Sequence, residues 1–112
     1  MEMLYKVKAK IDKIKMKSFY TALTDGSIAS QEQDGPDIVN AMQKAVKTTG
    51  ETLEWYQICH CETPLKHERV TVYDKYLHDI ETTLVNEIRN DIKGTSFWDC
   101  LEDWHFDDTY SF

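Results

Sequence analysis

The segment from Thr52 to Cys61 constrains the fold most strongly, because it has the pattern of a β-strand with two apolar faces. Leu53 and Trp55 alternate with Tyr56 and Ile58, so both rows of side chains carry large apolar or aromatic groups. A strand of this kind lies inside a sheet, where both faces are largely covered. The segment therefore predicts an inner strand.

A second strand is predicted near the N-terminus, where residues 3–11 alternate between an apolar row and a lysine-rich row. The lysines indicate an edge strand, on which charge prevents pairing with another chain. A lysine-lined face could also hold an anionic ligand, which is the alternative interpretation. The apolar row consists of Met3, Tyr5, Val7, Ala9 and Ile11, and the other row of Leu4, Lys6, Lys8 and Lys10.

Two helices are predicted between these strands. The first spans residues 15–24, and Asp25-Gly26 ends it because glycine readily adopts the left-handed cap. The second begins at Gly35-Pro36, since proline suits the first helical position, and Gly50 lies just beyond its end. The apolar faces comprise Met16, Phe19, Tyr20 and Leu23 in the first helix and Ile38, Val39, Met42, Ala45 and Val46 in the second, whose last turn holds Lys44 and Lys47.

Residues 69–93 carry two conflicting patterns. The run from Arg69 to Tyr73 is β-branched and aromatic, which is typical of a strand. We expect an extended segment through about Tyr76, followed by either a strand or a helix up to Lys93. The helical alternative depends on a stripe formed by Tyr73, Tyr76, Leu77, Ile80, Leu84, Ile88 and Ile92.

Strands and helices that mix without a βαβ repeat predict an α+β fold in a single domain of residues 1–112. We expect a small antiparallel sheet with helices packed on one face, either ferredoxin-like or a related two-layer sandwich. A last short helix, capped by Thr95 or Ser96, should hold Phe97, Trp98, Leu101 and Trp104, and the tail from about residue 105 should be loosely held. Because such a sheet leaves one face open, a homodimer is expected.

The formal net charge of −7 argues against nucleic acid and anionic membranes as partners, because both repel an acidic protein. No apolar run approaches the roughly 18 residues that a membrane helix needs. The N-terminal residues lack the continuous apolar core of a secretory signal. Together with an odd number of cysteines, three, these features favour a cytoplasmic protein with free thiols.

Reactive side chains are densest at Cys59-His60-Cys61. On an extended strand the two sulfurs point to one side and the imidazole to the other, unlike the paired turns that usually bind zinc. We therefore predict no metal site and no cofactor, and we expect the two cysteines to be small buried apolar groups. A metal-stabilised domain that also recruits His67, His78 or Cys100 is an alternative.

Cys61 and His67 are the candidate catalytic residues if the chain is an enzyme. His67 follows Cys61 by six residues across a proline turn, so the imidazole could lower the pKa of the thiol. Glu62 or Glu68 could orient that imidazole. No glycine-rich turn that could stabilise an oxyanion accompanies them, so catalysis is the alternative function.

The leading function is a non-enzymatic domain that self-associates or binds a protein partner or a small ligand. Aromatic groups with a few convergent polar groups are typical of ligand pockets. Arg69 has the planar fork that suits a small anionic ligand, although it could instead pair with a nearby acidic residue. The predicted ligand-binding residues are Trp55, Tyr56, His60, His67, Arg69 and Tyr73.

Overall fold

A five-stranded antiparallel sheet forms the centre of the computed structural model, which describes residues 3–31, 35–59, 68–88 and 92–106. The side chains of Cys59, His105 and Phe106 lie outside this description. The strand order is β4-β1-β3-β2-β5, and each strand is antiparallel to its neighbours. The strands are β1 (Met3–Ile11), β2 (Val46–Lys47), β3 (Thr52–Cys59), β4 (Leu77–Leu84) and β5 (Thr95–Ser96).

The helices lie between these strands and after the last one. A 3₁₀ turn at Lys13–Lys15 leads into the first helix, and a π-helical segment at Arg69–Tyr73 continues directly into the short third helix. The helices are α1 (Met16–Thr24), α2 (Gly35–Lys44), α3 (Asp74–Tyr76) and α4 (Phe97–Phe106).

The order and directions of the first four strands are those of the ferredoxin-like split βαβ arrangement. β1 and β2 flank β3, and the chain between them forms α1 and α2. The crossover from β3 to β4 contains the π-helical segment and α3, and it places β4 beside β1. β5 and α4 extend this arrangement at the β2 edge. The predicted α+β fold with a two-layer architecture is confirmed.

The core lies between one face of the sheet and the helices. The apolar row of β1 is buried from Tyr5 to Ile11, and the helical residues that cover it recur at three- and four-residue spacing. Phe19 joins three elements, because its ring stacks on Tyr76 with centroids 4.6 Å apart and lies 6.2 Å from Phe97. The buried helical residues include Met16, Phe19, Tyr20 and Leu23 in α1, Ile38, Ala41 and Met42 in α2, and Phe97 and Leu101 in α4.

The prediction that β1 is an edge strand is wrong. β1 lies inside the sheet and pairs with β3 on one side and with β4 on the other. Its lysines therefore cannot act by preventing edge pairing. They occupy the sheet face opposite the helices, where Lys8 and Lys10 are exposed and Lys6 is half-buried. Alternation of side chains fixes the two faces of a strand, but it does not reveal how many neighbours the strand has.

The second predicted helix is shorter than expected. α2 ends at Lys44, and Val46 and Lys47 belong to β2 instead of the last helical turn. The backbone of these two residues pairs with β3 on one side and with β5 on the other, which a helix could not provide. The predicted inner position of β3 is confirmed, because β3 lies between β1 and β2, although β2 pairs only with Leu53 and Glu54. The strand itself extends through Cys59, and residues 60 and 61 lie outside the described residues.

The predicted extended segment through Tyr76 is wrong, because residues 69–76 are helical. Glu68, Val72 and Tyr73 are buried together while Val70 is 67% exposed, and this spacing of four and five residues can be satisfied only by a helical turn. The β-branched preference of the run gives way to the burial of one helical side. The strand alternative for the following residues is confirmed from Leu77 to Leu84.

The last predicted helix is confirmed. It begins after Ser96, whose hydroxyl oxygen accepts a hydrogen bond from the backbone N–H of Asp99 at 3.4 Å. Phe97 and Leu101 point into the core. The backbone of His105 and Phe106 completes α4, so the tail that was expected to be loosely held from about 105 begins as helix; residues 107–112 lie outside the described residues.

Gly94 provides a test of the sheet extension by β5. A Cβ atom at this position would collide with the backbone carbonyl oxygen of Lys47, so no side chain fits where the chain enters β5. We expect Gly94→Ala to lower the free energy of unfolding by roughly 1–3 kcal/mol in urea denaturation, as overpacking does. Thr95→Ala, at an exposed neighbouring position, should cost much less. Equal effects of the two substitutions would contradict the placement of β5 against β2.

Candidate functional site

The sheet face opposite the helices, here called the open face, is organised in rows across β3, β1 and β4. The register places directly paired residues side by side on one face. Successive rows are Ile58–Leu4, Tyr56–Lys6–Thr83, Glu54–Lys8–Glu81 and Thr52–Lys10–His78. The face therefore changes from apolar at one end to charged and polar at the other.

The lysines of the open face have acidic or polar neighbours within the sheet. Lys8 is flanked by Glu54 and Glu81 in its own row, and the Lys6 ammonium lies 3.9 Å from the Glu54 carboxylate and 5.9 Å from the centre of the Tyr56 ring. The Lys10 ammonium donates a hydrogen bond of 2.9 Å to the Thr52 hydroxyl. Paired charges attract a further anion weakly, so this arrangement favours a structural role of the lysines over an anion-binding face.

At the apolar end of the open face, contact between side chains and water is unfavourable in free energy. Ile58 is 46% exposed and pairs with Leu4. On the other side of Leu4, the backbone N–H of Val85 donates to the Leu4 carbonyl oxygen at 3.0 Å, so the strand pairing continues through Val85. Leu4 and Val85 are both half-buried. Ile58, Leu4 and Val85 form a continuous apolar row across three strands, which we call the apolar row.

A buried polar cluster lies on the helix-covered side of β3. The side-chain oxygen of Gln57 accepts two hydrogen bonds, one of 2.8 Å from the Trp55 indole N–H and one of 2.6 Å from the Tyr73 hydroxyl. The Gln57 amide nitrogen in turn donates to the Glu68 carboxylate at 3.5 Å. All four side chains are at most 4% exposed. The cluster joins β3 to the π-helical segment that follows Glu68.

This cluster has the chemistry of a structural network. Buried polar groups are costly unless they are hydrogen-bonded, and Gln57 offers an acceptor and a donor in the correct directions. The rings of Trp55 and Tyr73 also contact each other, with centroids 5.1 Å apart. Gln57 therefore fixes the β3–β4 crossover to the sheet through polar bonds, while the two aromatic rings do so through packing.

The structure brings together only some of the predicted ligand-binding residues. Trp55 and Tyr73 meet in the buried cluster, whereas Tyr56 lies on the open face, on the other side of the sheet. Arg69 pairs with Asp74, its Nε lying 3.1 Å from the carboxylate, so the alternative of pairing with a nearby acidic residue is realised. His60 and His67 lie outside the described residues. Tyr56 therefore does not share a pocket with Trp55 and Tyr73, and a ligand-binding role of the six residues stays a prediction.

The candidate catalytic pair also stays a prediction, because Cys61 and His67 both lie outside the described residues. Among the residues that the structure does describe, no three His, Cys, Asp or Glu side chains converge as a metal site would require. His78 is exposed on the open face and Cys100 is half-buried on α4, so the sheet separates these two suggested ligands.

Sequence reasoning missed Gln57, and it considered Glu68 only as a residue that could orient the His67 imidazole, not as a buried partner of Gln57. Gln57 interrupts an otherwise apolar buried row of an inner strand, and a polar residue at such a position indicates a buried partner. No comparable signal marks Glu68, because its burial depends on the helical turn that was predicted to be extended.

Comparison with known proteins gives no assignment: the chain matches no protein-family model, no curated protein and no solved structure. None of the helices in the described ranges is long and apolar enough to cross a membrane. The surfaces of the molecule itself are therefore the source of functional evidence.

The buried cluster predicts a graded response to substitution. Gln57→Leu removes the acceptor of the Trp55 and Tyr73 donors together with the donor to Glu68, and we expect it to lower the free energy of unfolding by roughly 2–5 kcal/mol. Tyr73→Phe removes one donor and leaves the Trp55 bond intact, so it should cost about 1 kcal/mol. Urea unfolding followed by tryptophan fluorescence measures both. A smaller loss for Gln57→Leu than for Tyr73→Phe would contradict the network.

The environment of Cys100 predicts that its thiol reacts slowly with alkylating reagents. Burial raises the pKa of the Cys100 thiol, an effect that Lys47 opposes and that Asp103 and Asp99 reinforce. Because the thiolate is the reactive form, peptide-resolved alkylation at pH 7–8 should label Cys100 more slowly in the native protein than in the urea-unfolded chain. The stabilising effect of the neutral thiol is present at neutral pH and is lost as the pH rises through the raised native pKa. Native labelling as fast as unfolded labelling would contradict this environment.

Proposed function

We propose that this protein is a non-enzymatic domain that self-associates, with a second copy covering the apolar end of the open face. The single observation that carries the proposal is the apolar row of Ile58, Leu4 and Val85, which crosses three strands and includes an isoleucine that is 46% exposed. Contiguous apolar side chains on a surface whose other rows are charged or polar are typical of an interaction site.

Two-fold pairing suits the gradient along the open face. If the axis passes near Leu4, the apolar rows of two copies meet and the Glu54–Lys8–Glu81 rows lie outside them. Apolar groups then occupy the centre and charged groups the rim, as in most interfaces. Each charged row already contains both signs, so the rim does not repel its counterpart.

The expected association is weak. Three strands about 4.8 Å apart, each presenting eight residues about 3.3 Å long, give a face on the order of 400 Å². A standard stable interface buries about 800 Å² of accessible surface per partner. We therefore expect this contact to dissociate in the micromolar range or above, and concentration-dependent measurements are needed to detect it.

A lysine within the apolar row tests the proposal. We expect Ile58→Lys to lower the weight-average mass in sedimentation equilibrium between about 10 and 500 µM, because an ammonium group would have to lose its water at the centre of the contact. Ile14→Lys is the matched control, since Ile14 is 89% exposed but lies on the turn before α1. It should leave the mass unchanged.

Two results would contradict the proposal. One is a wild-type protein that stays monomeric over the whole concentration range. The other is an equal effect of Ile58→Lys and Ile14→Lys on association. Far-UV circular dichroism of both variants checks whether the fold is retained.

A further inference from the structure

We infer that the outer edge of β4 is a second contact between copies, in which β4 pairs antiparallel with β4 of another molecule. β4 is the end strand of the sheet, with β1 on one side and no described strand on the other. It is eight residues long, whereas the opposite end strand, β5, has only two. Long edge strands present unpaired backbone groups to other chains.

The hydrogen-bond alternation identifies the outward groups. The Val85 N–H donates to Leu4 in β1, and residues of an antiparallel strand point alternately toward and away from their partner. Thr83 and Glu81 therefore bond to β1, opposite Lys6 and Lys8. The N–H and C=O groups of Ile80, Thr82 and Leu84 point away from β1, toward the edge.

This edge carries little of the protection that natural edges use. Residues 80–84 contain no lysine and no proline, the residues that usually prevent edge pairing. One irregularity is present: Asp79 has a φ of 52° and the register shifts at this point, as in a β-bulge. The bulge interrupts the edge before Ile80 and leaves a regular stretch from Ile80 to Leu84.

The sequence of that stretch is complementary to itself. A two-fold axis at Thr82 pairs Thr82 with its own copy, Ile80 with Leu84, and Glu81 with Thr83. Apolar residues thus meet apolar residues, the two threonines meet, and no glutamate faces another glutamate, all of which favour cross-strand pairing. An axis at Glu81 would place two carboxylates opposite each other.

The exposure of Leu84 agrees with this register. Leu84 is 58% exposed although it lies on the helix side of the sheet, paired with buried Tyr5. In the two-fold pair, Ile80 of the other copy lies beside Leu84 and covers it. About six backbone hydrogen bonds would form, because the three pairs of outward residues each exchange two.

This edge contact does not depend on the proposed contact through the open face. The edge uses backbone groups at one side of the sheet, and the face uses side chains such as Ile58 that project from it. Both contacts together would link copies into assemblies larger than a dimer.

Hydrogen exchange on the wild-type protein tests the edge directly. The amide protons of Thr82 and Leu84 should exchange at least about tenfold more slowly at millimolar than at low micromolar concentration, whereas those of Glu81 and Thr83 should be protected at both. Exchange of Thr82 that is fast at both concentrations would overturn the inference. Slow exchange at both concentrations in a protein that sediments as a monomer would also overturn it, because the edge would then be covered within one chain.

Sedimentation masses of substituted proteins distinguish the edge contact from the contact through the open face. Thr82→Pro removes an outward N–H while the ladder to β1 stays complete. When it is combined with Ile58→Lys, we expect it to abolish the association that Ile58→Lys alone retains. Thr82→Val, which keeps the N–H, is the matched control and should associate as the wild type does. Leu84→Lys, which adds an edge lysine without touching the backbone, provides a second test if the proline variant does not fold.

The outcomes are distinguishable. If Ile58→Lys alone is monomeric, the edge inference is overturned and the face proposal stands. If Thr82→Pro alone is monomeric while Ile58→Lys associates as the wild type does, the face proposal fails and the edge inference stands. Masses of Thr82→Pro and Leu84→Lys that both equal the wild-type mass overturn the edge inference.

Discussion

The pairing of β1 on both of its sides is the interaction on which the rest of the structure depends. β3 and β4 lie far apart in the sequence, and each is held in the sheet through β1. Because side chains alternate along a strand, this one segment also sets the two faces of the sheet: its buried row from Tyr5 to Ile11 receives the helices, and its lysines define the open face. Burial on one side and charge on the other fix the register, since a slip of one residue would exchange the two rows.

Gln57 adds a second constraint, which concerns the crossover from β3 to β4. This crossover must return the chain to the far side of β1, and the described part of it contacts the sheet through the Trp55 and Tyr73 rings and through the Gln57 hydrogen bonds. Apolar packing tolerates small shifts, whereas a carboxamide oxygen with two donors requires a defined geometry. The polar cluster therefore selects one position of the π-helical segment, and with it the point at which β4 begins at Leu77.

The open face and the β4 edge share a physical origin. The helices cover one side of the sheet, and the described strands end at β4 on one flank. Part of the resulting surface carries the Glu54–Lys8–Glu81 row and the polar contacts of Lys6 and Lys10, and a bulge at Asp79 interrupts the edge. The parts without such features are the apolar row and the stretch from Ile80 to Leu84. Association of copies through these parts would complete burial and hydrogen bonding that the single chain leaves incomplete.

The sequence by itself determined the alternation of β1 and β3, the helices that begin near Met16, Gly35 and Phe97, and the α+β class, because these depend on side-chain spacing within short segments. Tertiary structure decided that β1 is central, that Val46 and Lys47 leave the helical pattern for a strand, and that residues 69–76 coil although their β-branched run favours extension. It also brought Gln57 and Glu68 together across eleven positions. Such pairings between distant segments are chosen by the burial and hydrogen bonding of the whole chain, and no local pattern encodes that balance.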